Sequence, residues 1–335
     1  MYRVLRPLLF ALDAERAHDL TLALLRTAPA FALAQLTARA ADEHPIECLG
    51  LAFRNRIGLA AGFDKNATCI DALGALGFGF LEIGTVTARP QAGNPRPRVF
   101  RIPQAQALIN RMGFPNDGAA LVSARLAARR YRGICGVNIG KNASTALEAA
   151  PAEYAACLES VYPHADYVAV NVSSPNTSGL RALQEETLLI PLLESLLEAR
   201  QRLQQRSGRR VPLLVKLSPD LSPEELASSA AVIVSLKLDG IIATNSTLQR
   251  PHMAGLPQAR EAGGLSGRPL LEVALASVRA WRAALGPQFA IIGAGGIDCA
   301  AAARSMFEAG ANLIQIYTGL VYRGPRLIAD LARVS

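Results

Sequence analysis

Residues 165–180 read ADYVAVNVSSPNTSGL. The first half, DYVAVNVS (166–173), is a short and almost continuous apolar run that ends in a Ser-Pro-Asn turn. A strand with one wet face alternates apolar and polar side chains, whereas a run that is apolar at both parities belongs to a strand covered on both faces, as in a parallel sheet. Outward from this stretch the same signature recurs as IGLAAG (57–62), GFLEIGTVT (79–87), GICGVNIG (133–140), VPLLVKLS (211–218), DGIIATNS (239–246), FAIIGAGG (289–296) and NLIQIYTG (312–319), eight runs in all. Helical-period segments follow most of them, among them NDGAALVSARLAARR, EETLLIPLLESLLEARQRLQ and SPEELASSAAVIVSL, the last opening with a capping box from Ser222 to Glu225. Strand then helix, eight times over, predicts an α/β fold, a (β/α)8 TIM barrel.

The composition suits such a core. The 335 residues are 50% hydrophobic and 19% charged, which excludes a disordered chain. No apolar run reaches the roughly 18 residues of a membrane span, and the N-terminus lacks the apolar core and cleavage site of a signal peptide. The five cysteines (Cys48, Cys69, Cys135, Cys157, Cys299) are widely spaced without CxxC, so no disulfide framework, iron–sulfur cluster or other metal site is expected. A net charge of +8 favours anionic partners, but the excess is scattered arginine, with only four lysines among 35 basic residues.

Polar chemistry gathers at the strand ends, where barrel enzymes keep their active sites. Lys65 follows the first run, Thr85 sits in the second, Asn138 and Lys141 close the third, Asn171 and Ser174 the fourth, Lys216 the fifth, and Thr244 and Asn245 the sixth. Three of the four lysines therefore fall at one rim. GAGGI (293–297) after the seventh run and IYTG (316–319) after the eighth are the loop pair that often holds a phosphate in barrels, so a phosphate-bearing cofactor across the mouth is expected. The insertion RPQAGNPRPRVFRIPQAQALINRMGFPN (89–116) is too long for a simple connection and reads as a lid. Long loops after the fourth and sixth runs cover the mouth from further sides, and excluding water suits hydride chemistry.

GLAAGFDKN, EIGTVTARPQAGNPRPRVFR, INRMGFPN, GVNIGKN, VNVSSPNTSGL, LVKLSPD, TNST, GGLSG, IGAGGI and QIYTGLVYRGP, running in this order, resemble the segments of the class 2, quinone-dependent dihydroorotate dehydrogenases. The resemblance implies a bound FMN, oxidation of (S)-dihydroorotate to orotate in the fourth step of de novo UMP synthesis, and a membrane quinone as final electron acceptor. It makes Ser174 the catalytic base, with Ser173 as its control. A serine without histidine is a weak base, so a relay through water and neighbouring hydroxyls is expected, with Thr177 one candidate and Phe114 shielding the site.

By the same resemblance, Lys65, Asn110, Arg111, Met112, Gly113, Phe114, Asn171, Asn176, Asn245 and Ser246 take the substrate. Amides offer donors and acceptors to a flat uracil-like ring and Lys65 a charge to its carboxylate. The FMN contacts it implies are Ala61, Gly62, Phe63, Asp64, Lys65, Thr85, Asn138, Asn171, Lys216, Thr244, Gly267, Gly296, Tyr317 and Thr318, with Lys216 by the flavin pyrimidine. His18, Arg101 and Tyr317 match the polar residues of a quinone tunnel. Arg56, Pro115 and Ser178 depart from the usual family residues, and the last two bear on loop closure.

Residues 1–40 read as two helices broken near Pro29, with leucines (Leu8, Leu9, Leu12, Leu20, Leu24, Leu25) and arginines interspersed. This extension is expected to touch lipid at the cytoplasmic face of the cell membrane and to frame the quinone tunnel, with residues 41–335 forming the FMN barrel. No nucleic acid and no iron–sulfur partner subunit are expected. The competing readings are another FMN barrel, such as a tRNA dihydrouridine synthase, and a non-enzymatic peripheral scaffold; the first would need a loop cysteine and an RNA-binding domain beyond the last helix, and Lys65, Ser174 and Lys216 speak against the second.

Overall fold

The computed structural model describes residues 2–27 and 44–334. Eight strands, β1 (Ile57–Leu59), β2 (Phe80–Val86), β3 (Ile134–Ile139), β4 (Tyr167–Asn171), β5 (Leu213–Leu217), β6 (Gly240–Ala243), β7 (Ala290–Ala294) and β8 (Leu313–Ile316), close into a barrel in sequence order. All neighbouring pairs are parallel, and the ring closes where Ile314, Gln315 and Ile316 pair with Ile57, Gly58 and Leu59. Each of the eight apolar runs holds one barrel strand, and every residue of β2, β4 and β5 is buried, as double-sided covering requires. Ser222 and Glu225 form the anticipated capping box at the helix Pro223–Ser235.

The lower half of the barrel is solid. Phe53, Phe80, Tyr167, Leu214, Ile242, Ile292 and Leu313 pack inside it, beneath an antiparallel hairpin of Ile46–Cys48 with Leu51–Phe53. A Cβ on Gly136 would sit 2.1 Å from the Tyr167 ring, so glycine there is what admits the ring to the interior. Filling one end leaves space only at the other, where the strands end and the polar residues gather.

The 89–116 insertion is ordered sheet as well as loop. Val99–Ile102 and Ala107–Asn110 pair antiparallel, and Gly264–Gly267, from the long connection after β6, adds a third strand beside Ala107–Asn110. Ile102, Ala107, Ile109, Met253 and Leu265 bury one another at this junction. Two insertions far apart in sequence thus make one wall over the mouth.

Helices α1 (Tyr2–Ala11) and α2 (Ala14–Thr27) meet at a break at Leu12 and Asp13, while the break expected near Pro29 lies outside the described residues. The Asp13 carboxylate accepts from the N–H groups of Glu15 and Arg16 at 3.0 and 3.1 Å, so a capping residue starts the second helix where the sequence reading ran one helix through. The boundary expected at residue 40 also lies outside the described residues. Tyr2 donates to the Val321 carbonyl, Arg6 to that of Tyr322, and the rings of Phe10 and Tyr322 meet edge-on, docking α1 on the barrel's C-terminal helices. Val4, Leu8 and Leu24 remain 75%, 68% and 58% exposed.

Candidate active site

A cavity of about 180 Å³ opens at the C-terminal ends of the strands. Its floor is a polar layer built on Asn171, the last residue of β4. Asn171 Nδ2 donates to Thr85 Oγ1 at 3.0 Å and to Asn138 Oδ1 at 3.2 Å, while its Oδ1 accepts from Ser173 and Asn245. Thr85 reaches the layer because the β2–β3 register shifts between Ile83 and Val86.

The two serines part here. Ser173 Oγ donates to Asn171 and accepts from Asn245 Nδ2 at 3.0 Å, and it is fully buried. Ser174 lines the cavity, and among the described residues the one hydrogen bond to its Oγ comes from the Asn176 N–H at 3.3 Å. Its proton and remaining lone pair are free for a substrate or water. Three residues on, Thr177 Oγ1 is buried with no hydrogen-bond partner among the described residues. Phe114, held at φ 55°, closes the cavity on this side.

Beneath the floor lies a buried acid that the sequence reading passed over. Glu82, on β2 and fully buried, accepts from Asn138 at 2.9 Å, Tyr167 at 2.9 Å and Gln315 at 2.6 Å, and pairs with Lys216 at 3.3 Å. Burial, followed by the Glu82 charge, holds the Tyr167 phenol far above its ordinary range, so it serves as a neutral donor. An acid inside a strand apolar on both faces is the signal that could have found it. Lys216 lines the cavity and donates to Glu82, and Gln315 presents a buried Oε1 that nothing among the described residues satisfies.

Toward the lid, Asn176 Nδ2 donates to Asn110 Oδ1 at 3.2 Å, and both line the cavity with Asn245, Ser246, Met112 and Gly113. Lys65 Nζ donates to the Gly62 carbonyl at 2.7 Å. Burial pushes its ammonium down to about 8, against the opposing pull of Glu15. Asp64 shapes the loop that carries it, accepting from the N–H groups of Asn66, Thr68 and Cys69. On the far side, Gly267, Gly295, Gly296, Gly319 and Thr318 line the wall with Ala61, Gly62, Thr244 and Tyr317. A Cβ on Gly296, at φ 74°, would strike Leu271 at 2.5 Å, so that turn exposes bare backbone.

Of the residues singled out in the sequence, Asn138, Asp64, Phe63, Arg111, Arg101 and His18 stand behind the cavity wall. Asn138 and Asp64 orient residues that line it. Arg111 pairs with Glu261 at 2.7 Å and lies over the Phe100 ring. Arg101 donates to the carbonyls of Leu9 and Leu12 and covers Phe10, clamping the end of α1. His18 meets Phe63 edge-on at 5.3 Å, and Phe63 meets Tyr317 at 5.7 Å, so a row of rings runs from α2 to the cavity. Burial, then the Lys65 ammonium, lowers His18 to about 3, which leaves a neutral imidazole. Arg56 lies over the Phe307 ring and Ser178 is exposed, so neither enters the cavity.

Residues 45–333 match the family described as dihydroorotate dehydrogenase. Two relatives named dihydroorotate dehydrogenase (quinone) are those of Delftia acidovorans, 50% identical, and Methylibium petroleiphilum, 52% identical; each alignment covers 99% of this chain and 97% of the relative. The crystal structure of the Eimeria tenella enzyme in complex with ferulenol superposes with a TM-score of 0.87 at 36% identity, covering 95% of this chain and 89% of that one.

Proposed function

This chain belongs to the dihydroorotate dehydrogenase family and oxidises dihydroorotate to orotate in pyrimidine synthesis with a quinone as final acceptor, and we propose that it does so with a bound FMN and with Ser174 as the base. The cavity suits that group: the unsatisfied Gln315 Oε1 and the thinly partnered Lys216 ammonium face it on one side, and the glycine-lined wall with the Ser266 and Thr318 hydroxyls offers phosphate donors on the other. FMN, when bound, supplies the two-electron acceptor between dihydroorotate and the quinone. Lys216, Gln315, Thr85, Asn171 and Thr244 would hold its ring, and Gly267, Gly296 and Thr318 its phosphate.

Lys65 pairs with the substrate carboxylate, and Asn110, Asn176, Asn245 and Ser246 bracket the ring edge. Ser174 takes the proton from the carbon beside the substrate carbonyl. Its hydroxyl has no histidine to activate it, so the proton passes onward to water, with the unpartnered Thr177 hydroxyl as the next acceptor. Phe114 keeps bulk water from that path.

The quinone reaches the site between the barrel and helices α1 and α2, along the row from His18 through Phe63 to Tyr317. No helix among the described residues is long and apolar enough to cross a membrane. The exposed Val4, Leu8 and Leu24 faces instead rest on the cytoplasmic face of the cell membrane.

The observation that carries this reading is the division of the paired serines, one locked in the floor and one free in the cavity. The purified protein is expected to be yellow and to bleach when dihydroorotate is added without oxygen. A protein that carries flavin and is not bleached would refute the substrate assignment, and one that binds no flavin would refute the cofactor.

A further inference from the structure

Glu15 lies on the inner side of α2 with its carboxylate 6% exposed, and Arg98, 8% exposed, comes from the lid segment after β2. Arg98 Nε and Nη2 fork onto that carboxylate at 3.0 and 2.7 Å. Arg98 Nη1 donates to the carbonyls of Ala92 at 2.7 Å and Asn94 at 2.8 Å. Asn94 Nδ2 in turn donates to the carbonyls of Arg111 and Asn176, both at 3.0 Å, and its N–H donates to Met112. Asn176 donates through its N–H to Ser174 Oγ and through its side chain to Asn110. The contacts run without a gap from the N-terminal helix to the proposed base.

We propose that Glu15 and Arg98 make α2 a positioning element for dihydroorotate as well as a wall of the quinone route. The proposal rests on the assignment of Asn110, Asn176 and Ser174 to the substrate. A buried guanidinium deprived of its carboxylate is an uncompensated charge in a low-dielectric place, and the lid segment would have to shift to hydrate it. That shift reaches Asn94, which holds Asn176 by its carbonyl. Glu15 acts on the substrate side by charge as well, since it opposes the desolvation that lowers Lys65, with Asp64 and Asp19 acting in the same sense and Arg98 against.

The test uses the full-length flavoprotein and orotate, titrated through the flavin absorbance. Glu15→Leu should weaken orotate roughly tenfold and raise the KM for dihydroorotate more than it lowers kcat. Asp19→Asn, which removes a lesser charge acting on Lys65 and one partner of the exposed Arg96 but leaves Glu15 on Arg98, should weaken orotate far less than Glu15→Leu. Asn94→Ala should weaken orotate as well, and the Glu15→Leu, Asn94→Ala double variant should lose clearly less than the product of the two single losses, because both changes cut one chain and only the charge of Glu15 on Lys65 acts outside it. Unchanged orotate affinity in Glu15→Leu, or losses that multiply in the double variant, would overturn the proposal. If Glu15→Leu does not fold, Glu15→Gln keeps the volume and one acceptor for Arg98 and carries the same cycle. A wild-type protein that binds no orotate would instead overturn the substrate assignment.

Discussion

Ser173 and Ser174 share a side chain and differ in what their neighbours leave undone. Ser174→Ala should keep FMN and orotate yet slow flavin reduction by dihydroorotate at least about a hundredfold in stopped flow, the usual weight of a general base. Ser173→Ala should lose far less, and equal losses in the two would contradict the assignment. The pH dependence separates base from binder. A hydroxyl that sheds its proton to solvent works faster as pH rises, so reduction at saturating dihydroorotate should climb from about pH 6 to 9. The Lys65 ammonium, lowered to about 8, is charged below that pH and neutral above it, so orotate affinity should be highest below 8 and fall as pH rises through it. The two limbs together should give a bell in the second-order rate constant, and a titration of orotate that stays flat to pH 9.5 would exclude Lys65 as the carboxylate partner. The sequence made the serines legible because a strand of known parity ends there. It hid Glu82, whose meaning lies in Lys216, 134 positions away, brought beside it only by barrel closure.

At the scale of elements, the eight barrel strands were legible because burial on both faces leaves a local mark, each run being apolar at consecutive positions. The lid sheet left none. Val99–Ile102 carries arginine among its apolar residues, Ala107–Asn110 is four residues long, and the third strand arrives from residue 264. Pairing of that range is decided by tertiary contact, which propensity does not record. The break at Asp13 was missed for a different reason, since proline was taken as the stop signal and a single capping aspartate did the work. The same helices carry leucines that nothing among the described residues covers, and this predicts a membrane phenotype apart from catalysis. Leu8→Ser with Leu24→Ser removes two exposed apolar side chains, each worth about 1.5 to 3 kcal/mol if fully buried in lipid, so vesicle binding should fall at least about tenfold in sedimentation. Flavin reduction by dihydroorotate should not change. Undiminished vesicle binding would place the lipid contact elsewhere on the surface.

The whole molecule is a barrel packed solid at one end, polar and open at the other, with two helices laid over one side of the opening. On the proposed reading, that plan would put the two half-reactions on opposite sides of one cavity: dihydroorotate under the lid, quinone along the ring row from His18. If the helices served the quinone alone, a chain beginning at residue 44 would lose only the second half-reaction. The Glu15–Arg98 pair predicts otherwise. Such a chain, once circular dichroism and flavin content show it folded, should still be bleached by saturating dihydroorotate, because Lys65, Ser174 and Lys216 all lie beyond residue 44. Its affinity for dihydroorotate should nevertheless fall roughly tenfold, as Arg98 loses its carboxylate. Reoxidation by a long-tailed quinone in detergent should drop by more than about tenfold with the apolar wall gone, while a small soluble acceptor still reaches the cavity. Stopped-flow reduction and reoxidation, measured separately, distinguish the outcomes. Full dihydroorotate affinity with lost quinone reduction would confine the helices to the quinone side. Full activity in both halves would mean that they only pack against the barrel and that the quinone arrives by another path.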